Sequence, residues 1–367
     1  MFTRKEFILS TAGLAGVALA VEACSSKASD EGYEAAVART WRPVEDRIEP
    51  SSVRREMVRH ATLAPSSHNT QCWRFRIDER VIAILPDLTR RCPAVDPDDH
   101  HLFVSLGCAA ENLIQSAHAN GFSGESRFDA TGSGSLTVAL DPARPAVSPL
   151  FHAISERQST RSPFDGQTLT RDELQLLEEA GAGNGVRVVL ITGKPEMEKI
   201  LEFVVEGNTA QMRNPAFVEE LKAWIRFNRA EAVRTGDGLF SGATGNPTMP
   251  RWLGSRIFGM VYKEKTENDK YSMQLRSSSG VAVFVSEADD RAHWVEAGRS
   301  FERFALQAAV LGIQSAMINQ PVEVAAFRPR FAAHLGIGAG RADLVVRFGR
   351  GPTMPRSLRR PVEVVLV

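Results

Sequence analysis

The stretch 98–122, DDHHLFVSLGCAAENLIQSAHANGF, decides the fold because the chain carries it twice. Laid over 289–313, DDRAHWVEAGRSFERFALQAAVLGI, at a constant offset of 191 and without gaps, it keeps seven identities in 25 positions. Asp98 and Asp99 meet Asp289 and Asp290. Val104 meets Val295, Gly107 meets Gly298, Glu111 meets Glu302, Ala117 meets Ala308 and Gly121 meets Gly312, with Phe103 opposite Trp294. Both copies read as long amphipathic helices; in the first, Asp96 is the expected cap, Pro97 the first helical position and Gly121 the stop. Self-similarity at a fixed offset points to an internal duplication. Upstream, Arg74-Phe75 matches Arg187-Val188 at an offset of 113. The change of offset predicts 78 inserted residues in the second half, at roughly 196–279.

Working outward, strands are predicted at 73–77, 81–85, 135–140, 186–191, 280–285, 344–348 and 362–367. Helices are predicted at 51–63, 148–156, 203–234 and, behind the capping box Thr170 to Glu173, at 170–180. The run 236–250 is rich in Gly, Thr and Pro and is expected to be irregular. With 367 residues, 43% hydrophobic and 24% charged, the chain is a globular protein of two domains or one two-lobed unit. A formal charge of zero gives no sign of a nucleic-acid partner. Cys72, Cys92 and Cys108 show no Cys-x-x-Cys spacing and do not form a disulfide framework. His100-His101 beside Asp96, Asp98 and Asp99 is not read as a metal site, because adjacent helical histidines point apart and no third ligand follows at i+4. The glycine runs 181–185 and 336–340 lack dinucleotide-loop spacing and read as turns.

The N-terminus reads as a targeting segment. Arg4 and Lys5 precede an apolar run, 7–21, that is too short for a comfortable membrane span. Thr3-Arg4-Lys5-Glu6-Phe7-Ile8 is similar to a twin-arginine export signal with lysine in the second place. Cleavage after Ala20 and a lipoprotein box ending at Cys24 are alternatives, the second giving a lipid anchor. Residues 1–32 are then signal and tether, and the protein is expected to be exported, periplasmic or in the cell envelope.

Two stretches carry chemistry. Arg157-Gln158-Ser159-Thr160-Arg161 places two planar cationic forks and two hydroxyls within five residues, a pattern that can hold a phosphate and set a second cation further along a ligand. The bland reading of the same residues is a helix end with solvated arginines. Ala64-Pro65-Ser66-Ser67-His68-Asn69-Thr70-Gln71-Cys72-Trp73 is a loop dense in hydroxyl and amide groups.

These stretches resemble the FMN-dependent nitroreductase family. APSSHNTQCW resembles its A-P-S-S-x-N-x-Q-P-W loop, RQSTR its R-x-S-x-[RK] flavin-phosphate motif, AGRSFERFALQAAVLGIQSAMINQP its central helix and following loop, and RRPVEVV its basic C-terminus. The order of the parts, with a fused double unit, is similar to the Acg-like branch, and the resemblance covers about residues 50–367. It implies an α+β, three-layer sandwich of two pseudo-repeats forming an intramolecular pseudo-dimer, with a first half at 50–147 and a second at 148–367 that holds a lid-like insertion. In the family the site lies between two subunits, one giving the phosphate motif and the other the serine loop. Here each half keeps the part the other lacks, so one composite site is expected in a monomer.

By the same resemblance Arg157 and Ser159 bind the FMN phosphate with Arg359 or Arg360 beside them, and Arg161 reaches the ring. Ser66, Ser67 and Asn69 bond the ring and ribityl chain from the other half. Backbone N–H groups of Met317, Ile318 and Asn319 face the flavin N5. Cys72 in place of proline and Asn319-Gln320 in place of a Glu-Gly-like pair depart from the family pattern. The implied activity is hydride transfer between a small-molecule donor such as NAD(P)H and a nitroaromatic or quinone acceptor. A flavin-holding protein with a covered site and little turnover is the second reading, and a phosphate-binding protein without flavin the third. Trp252, Leu253, Ile257, Phe258 and Met260, beyond the Gly/Pro-rich run, are expected to pack over the ring face.

Overall fold

The computed structural model describes residues 32–45, 49 and 51–367, so the targeting segment and Cys24 lie outside the described residues. Helix α1 covers 32–40. The first unit follows as α2 (Val53–Thr62), β1 (Trp73–Ile77), β2 (Val81–Pro86), α3 (His100–Ala119), β3 (Ser126–Asp129) and β4 (Ser135–Ala139). After α4 (Pro149–Ala153) the second unit repeats the order: α5 (Arg171–Gly181), β5 (Val186–Ile191), then the inserted α6 (Lys194–Met212), α7 (Pro215–Trp224), β6 (Ile225–Arg226), α8 (Arg229–Thr235), β7 (Leu239–Phe240), α9 (Arg251–Val261) and α10 (Glu264–Arg276). It closes with β8 (Gly280–Ser286), α11 (Arg291–Val310), β9 (Gln314–Met317), α12 (Gln320–Glu323), α13 (Arg328–Leu335), β10 (Arg341–Gly349) and α14 (Val362–Val365).

The two units have one topology. Each sheet is antiparallel, in the order β1-β2-β4-β3 and β5-β8-β10-β9, which is the same arrangement once the insertion between β5 and β8 is set aside. The fold is α+β, with α2, α3, α5 and α11 packed between the sheets around one continuous core drawn from both units. The seam is the crossing of α3 and α11, which start and end at the offset of 191 read from the sequence. A Cβ on Gly107 would run into the Val295 carbonyl, and one on Gly298 into the Val104 carbonyl. The two contacts are each other's image, the signature of a two-fold related interface, here inside one chain.

Three expectations change in detail. Helix α3 begins at His100, because Asp99 is left-handed (φ 60°). Asp96 still caps it from the loop, its carboxylate accepting the N–H groups of His101 (3.0 Å) and Leu102 (2.9 Å). The predicted strand 362–367 is a turn of helix, α14, with only Leu366 bridged to Phe75; Val365 is buried against the first unit, and tertiary packing overrides β propensity. The single helix expected over 203–234 is three. Asn214 caps α7 with Pro215 behind it, Ile225–Arg226 runs extended, and Asn228 caps α8. Strands β3 and β9 were not expected from the sequence; both are short edge strands of four residues.

Candidate functional site

The 157–161 stretch leaves α4 and lies along the sheet edge. Ser159 bridges Ser315 of β9, and the Thr160 N–H donates to the Ser315 carbonyl (2.9 Å). Arg347 of β10, fully buried, donates to the carbonyls of Thr160 (2.8 Å) and Ser162 (2.9 Å) and lies 4.1 Å over the Phe164 ring. Gln158 exchanges hydrogen bonds with the Met354 backbone in both directions, so the C-terminal segment is zipped beside the stretch.

The two arginines of the stretch differ. Arg157 turns inward: Nη2 donates to the Leu63 carbonyl (2.8 Å) and Nε lies 3.0 Å from Glu302 Oε1, both side chains buried. Burial pushes the Glu302 carboxyl up to about 7, against the pull of Arg157. Arg161 makes no side-chain hydrogen bond or ion pair among the described residues and faces the cavity. Arg359 caps the carboxyl end of α2, donating to the carbonyls of Thr62 (2.8 Å), Leu63 (3.0 Å) and Ala64 (3.1 Å). Burial and the nearby Arg157 lower it to about 9. Arg356 and Arg359 flank the Trp41 ring at 4.5 and 5.0 Å. Arg360 points away, donating to the carbonyls of Gln71 (2.6 Å) and Trp73 (3.2 Å), so of the C-terminal pair Arg359 alone lines the cavity.

The serine loop is held in an unusual shape. His68, Asn69 and Gln71 all adopt left-handed backbone (φ 50°, 52° and 54°), uncommon for residues other than glycine. Ser66 Oγ accepts the Gln71 N–H (2.9 Å), and the insertion pins the loop from above: Asn69 Nδ2 donates to the Gly238 carbonyl (3.0 Å) and Gln71 Nε2 to the Gly236 carbonyl (2.8 Å). Asn69 Oδ1 and His68 Nε2 are buried without a hydrogen-bond partner.

These pieces meet in one cavity. A narrow arm is walled by Trp41, Asn69, Arg157, Arg356 and Arg359. It opens past Ser66, His68, Ser159 and Arg161, common to both parts, into a wider chamber. Ser67, Met317 and Asn319 line the chamber, and His101, Val104, Ser105 and Cys108 give one face of α3 to its wall. Ile318 does not take part: its N–H donates to the Val345 carbonyl (2.8 Å) and its side chain is in the core under β10. The Asn319 side chain accepts the Val345 N–H (2.8 Å), which fixes the turn behind β9.

The roof of the chamber comes from the insertion, through Phe217, Leu221, Leu239, Tyr262 and Tyr271. The expected apolar set does not supply it. Trp252 and Met260 are 65% and 64% exposed, and Phe258 is buried against Phe227 and stacked on Tyr262 at 4.4 Å. Trp252 and Met260 of α9 face outward, and among the described residues Tyr262, just past the end of α9, reaches the roof's edge.

Asp96, His100 and His101 bring possible ligand atoms within 4.8 Å of one another. Both Asp96 oxygens already accept N–H groups of α3, and His100 Nε2 lies 2.9 Å from Asp343 Oδ1. Sequence reasoning missed Trp41, Arg356, Glu302, Arg347 and the lid residues Tyr271 and Lys270. Only Arg347 left a signal, a lone charge in the apolar run 344–348.

Two topologically equivalent α+β units sharing one cationic seam cavity define the class of this protein. No family model matches the chain. Among curated proteins it is similar to two from Mycobacterium tuberculosis whose names place them provisionally among the NAD(P)H nitroreductases. Rv3131 is 24% identical over 326 residues, 85% of this chain and 90% of that protein. The protein acg is 22% identical over 336 residues, 87% of this chain and 97% of that protein. Among solved structures, the FMN-dependent nitroreductase NfnB of Mycobacterium smegmatis, in complex with NADPH, aligns with a TM-score of 0.39 and 15% identity over 59% of this chain and 96% of its own. The NADPH:FMN oxidoreductase of Vibrio harveyi, complexed with NAD+, aligns with a TM-score of 0.34 and 13% identity over 58% and 73%. The sequence matches run nearly the whole length of both relatives, so the likeness spans both units of this chain.

Proposed function

We propose that the chain binds one FMN in the seam cavity and acts as an oxidoreductase between an NAD(P)H-type donor and a nitroaromatic, quinone or similar acceptor. The observation that carries this reading is Arg161, a cation with no side-chain hydrogen bond or ion pair among the described residues, at the junction of an arginine-walled arm and a wider chamber lined from both units. The orphaned Asn69 Oδ1 beside it fits a ligand that donates a hydrogen bond. In this reading Arg157, Arg356 and Arg359 set the positive potential of the arm, Ser159 and Arg161 bond the phosphate side and the ring edge, and Ser66, Ser67 and Asn69 reach in from the other unit. Met317 and Asn319 form the wall behind the ring. FMN bound there supplies two-electron transfer. The chain's part is to hold the ring, to place the Arg161 charge where negative charge accumulates, and to exclude water under the roof. Heat release of the flavin from purified protein tests the reading: FMN is expected, and FAD or no flavin would end it.

The roof favours a second reading of the same site, a covered flavin with slow turnover. Under anaerobic conditions, excess NADPH should bleach the flavin slowly and dithionite quickly; equal rates remove this reading and leave the open enzyme. The division into a first half at 50–147 and a second at 148–367, with the insertion as lid, belongs to the proposal. So does export through the N-terminal segment as a monomer, with Cys24 as a lipid anchor the alternative to cleavage. Replacing Arg4 and Lys5 with Gln should leave the precursor in the cytoplasm, and unchanged export would contradict a folded-protein route.

A further inference from the structure

The FMN reading leaves one charge in the chamber unused. Lys270 of α10 lines the chamber, and its Nζ donates only to neutral oxygens, the Thr244 carbonyl (3.1 Å) and Asn246 Oδ1 (3.2 Å). No ion pair joins it to a carboxylate among the described residues. Burial lowers its affinity for the proton, opposed by the negative field of Glu267 and reinforced by that of Arg161. Two carboxyls also line the chamber, and Glu267, one turn before Lys270 on α10, attracts it without forming an ion pair. Glu267 and Glu323 are both pushed up by burial, toward the uncharged acid, and Glu323 is further tied by the Gln211 amide (2.6 Å). On the floor, His101 Nε2 is buried with no hydrogen-bond partner. Beside these donors the wall is apolar: Met212, Phe217, Leu221 and Leu239.

A half-buried cation whose hydrogen bonds go only to neutral oxygens is poorly compensated, and a bound anion offsets that penalty with a charge-assisted hydrogen bond. Arg161 stands at the mouth of the narrow arm and is taken by the cofactor. Lys270 lies one turn before Gln274 on α10, and Gln274 Nε2 donates to the Arg161 carbonyl (2.5 Å), so the insertion sets a second cation on the chamber wall near the arginine stretch.

We propose that Lys270 binds the anionic group of the small molecule that exchanges electrons with the cofactor, so that the chamber selects compounds with an apolar body and one carboxylate-like charge. The inference rests on the FMN reading for the position of the ring, and not for the existence of the anion site. Because α10 belongs to the insertion, such a ligand ties the roof to the floor as it binds.

Calorimetric titration of the purified protein with 4-nitrobenzoate and with its uncharged amide, 4-nitrobenzamide, tests the site without turnover. The acid should bind about tenfold more tightly than the amide at low salt, one charge-assisted contact's worth. Lys270→Met should abolish the preference and Lys270→Arg keep it, at unchanged flavin content and unfolding temperature. If Lys270→Met does not fold, Lys270→Gln, which can still donate to the Thr244 carbonyl, takes its place. Equal binding of acid and amide by the wild-type protein, or a preference that survives the neutral variant, overturns the proposal. Protein that purifies without flavin defeats the FMN reading alone: a preference for the acid in that colourless protein would still support the anion site, and its absence would remove it.

Discussion

Arg157 and Arg161 lie four residues apart and do different work. Arg157 is a buried strut, with Nη2 on the Leu63 carbonyl and Nε beside the Glu302 carboxyl. The Arg161 side chain has no hydrogen bond or ion pair among the described residues. Removing Arg157 leaves Glu302 buried beside an empty place, and breaking a buried pair from one side costs about 3–5 kcal/mol. Arg157→Ala should therefore lower unfolding free energy by that order in urea titrations and lose flavin as a consequence. Arg161→Ala should lose the yellow flavin band while its unfolding free energy stays within about 0.5 kcal/mol of flavin-stripped wild type; a variant that purifies yellow would show that the cation serves something else. Glu302 adds a pH signature. Its carboxyl is raised in the folded protein to about 7, so the folded state binds its proton more tightly than the unfolded chain does. The stability it contributes is complete below the unfolded value near 4.5 and is lost as pH rises toward 7. Glu302→Gln should reduce the fall of stability across that window by up to about 1.4 kcal/mol per pH unit, one proton's worth. Part of the fall should remain, since Asp96 and Asp343 are also raised to about 7 by burial.

At the scale of elements, the insertion both roofs the chamber and holds the serine loop. Gly238 sits at φ 76°, and a Cβ there would meet the Trp224 carbonyl while its own carbonyl receives the Asn69 amide. Gly238→Ala should strain the 236–238 turn, release Asn69 and weaken flavin retention at a distance from the flavin, read as the flavin remaining after gel filtration; full retention would separate lid from loop. For the same reason a deletion of 236–270 would remove the loop's supports together with the roof, so Tyr262→Ala is the cleaner way to open the chamber and should speed bleaching by NADPH. The elements also show what a sequence discloses. The α3 and α11 register was legible because a helix crossing this close admits only glycine, and both copies carry it at the same place. The residue types of 157–161 and 64–73 were legible as two polar stretches worth following, and both line the seam cavity. That Arg157 turns to Glu302 was not, because the pairing joins positions far apart that share no local pattern. The outward turn of Trp252 and Met260 was hidden too, since a periodic stripe gives a face but not its direction.

At the scale of the molecule, the seam at α3 and α11 decides whether the cavity exists, because the serine loop and the arginine stretch belong to different units. Gly107→Ala and Gly298→Ala each push a methyl group into a backbone carbonyl across it, and overpacking of this kind costs about 1–3 kcal/mol. The pseudo-two-fold predicts nearly equal losses for the two variants in urea titrations; a neutral result for either would mean the helices can separate without penalty. The central claim is one composite cavity per chain, filled by one FMN. Flavin released by heat, counted against protein in a sample whose mass in solution is measured by light scattering, tests it most directly. The account predicts one FMN per chain in a particle of one chain, near 40.2 kDa for the full sequence. Two flavins per chain, or a single flavin that appears only in a dimer, would contradict it.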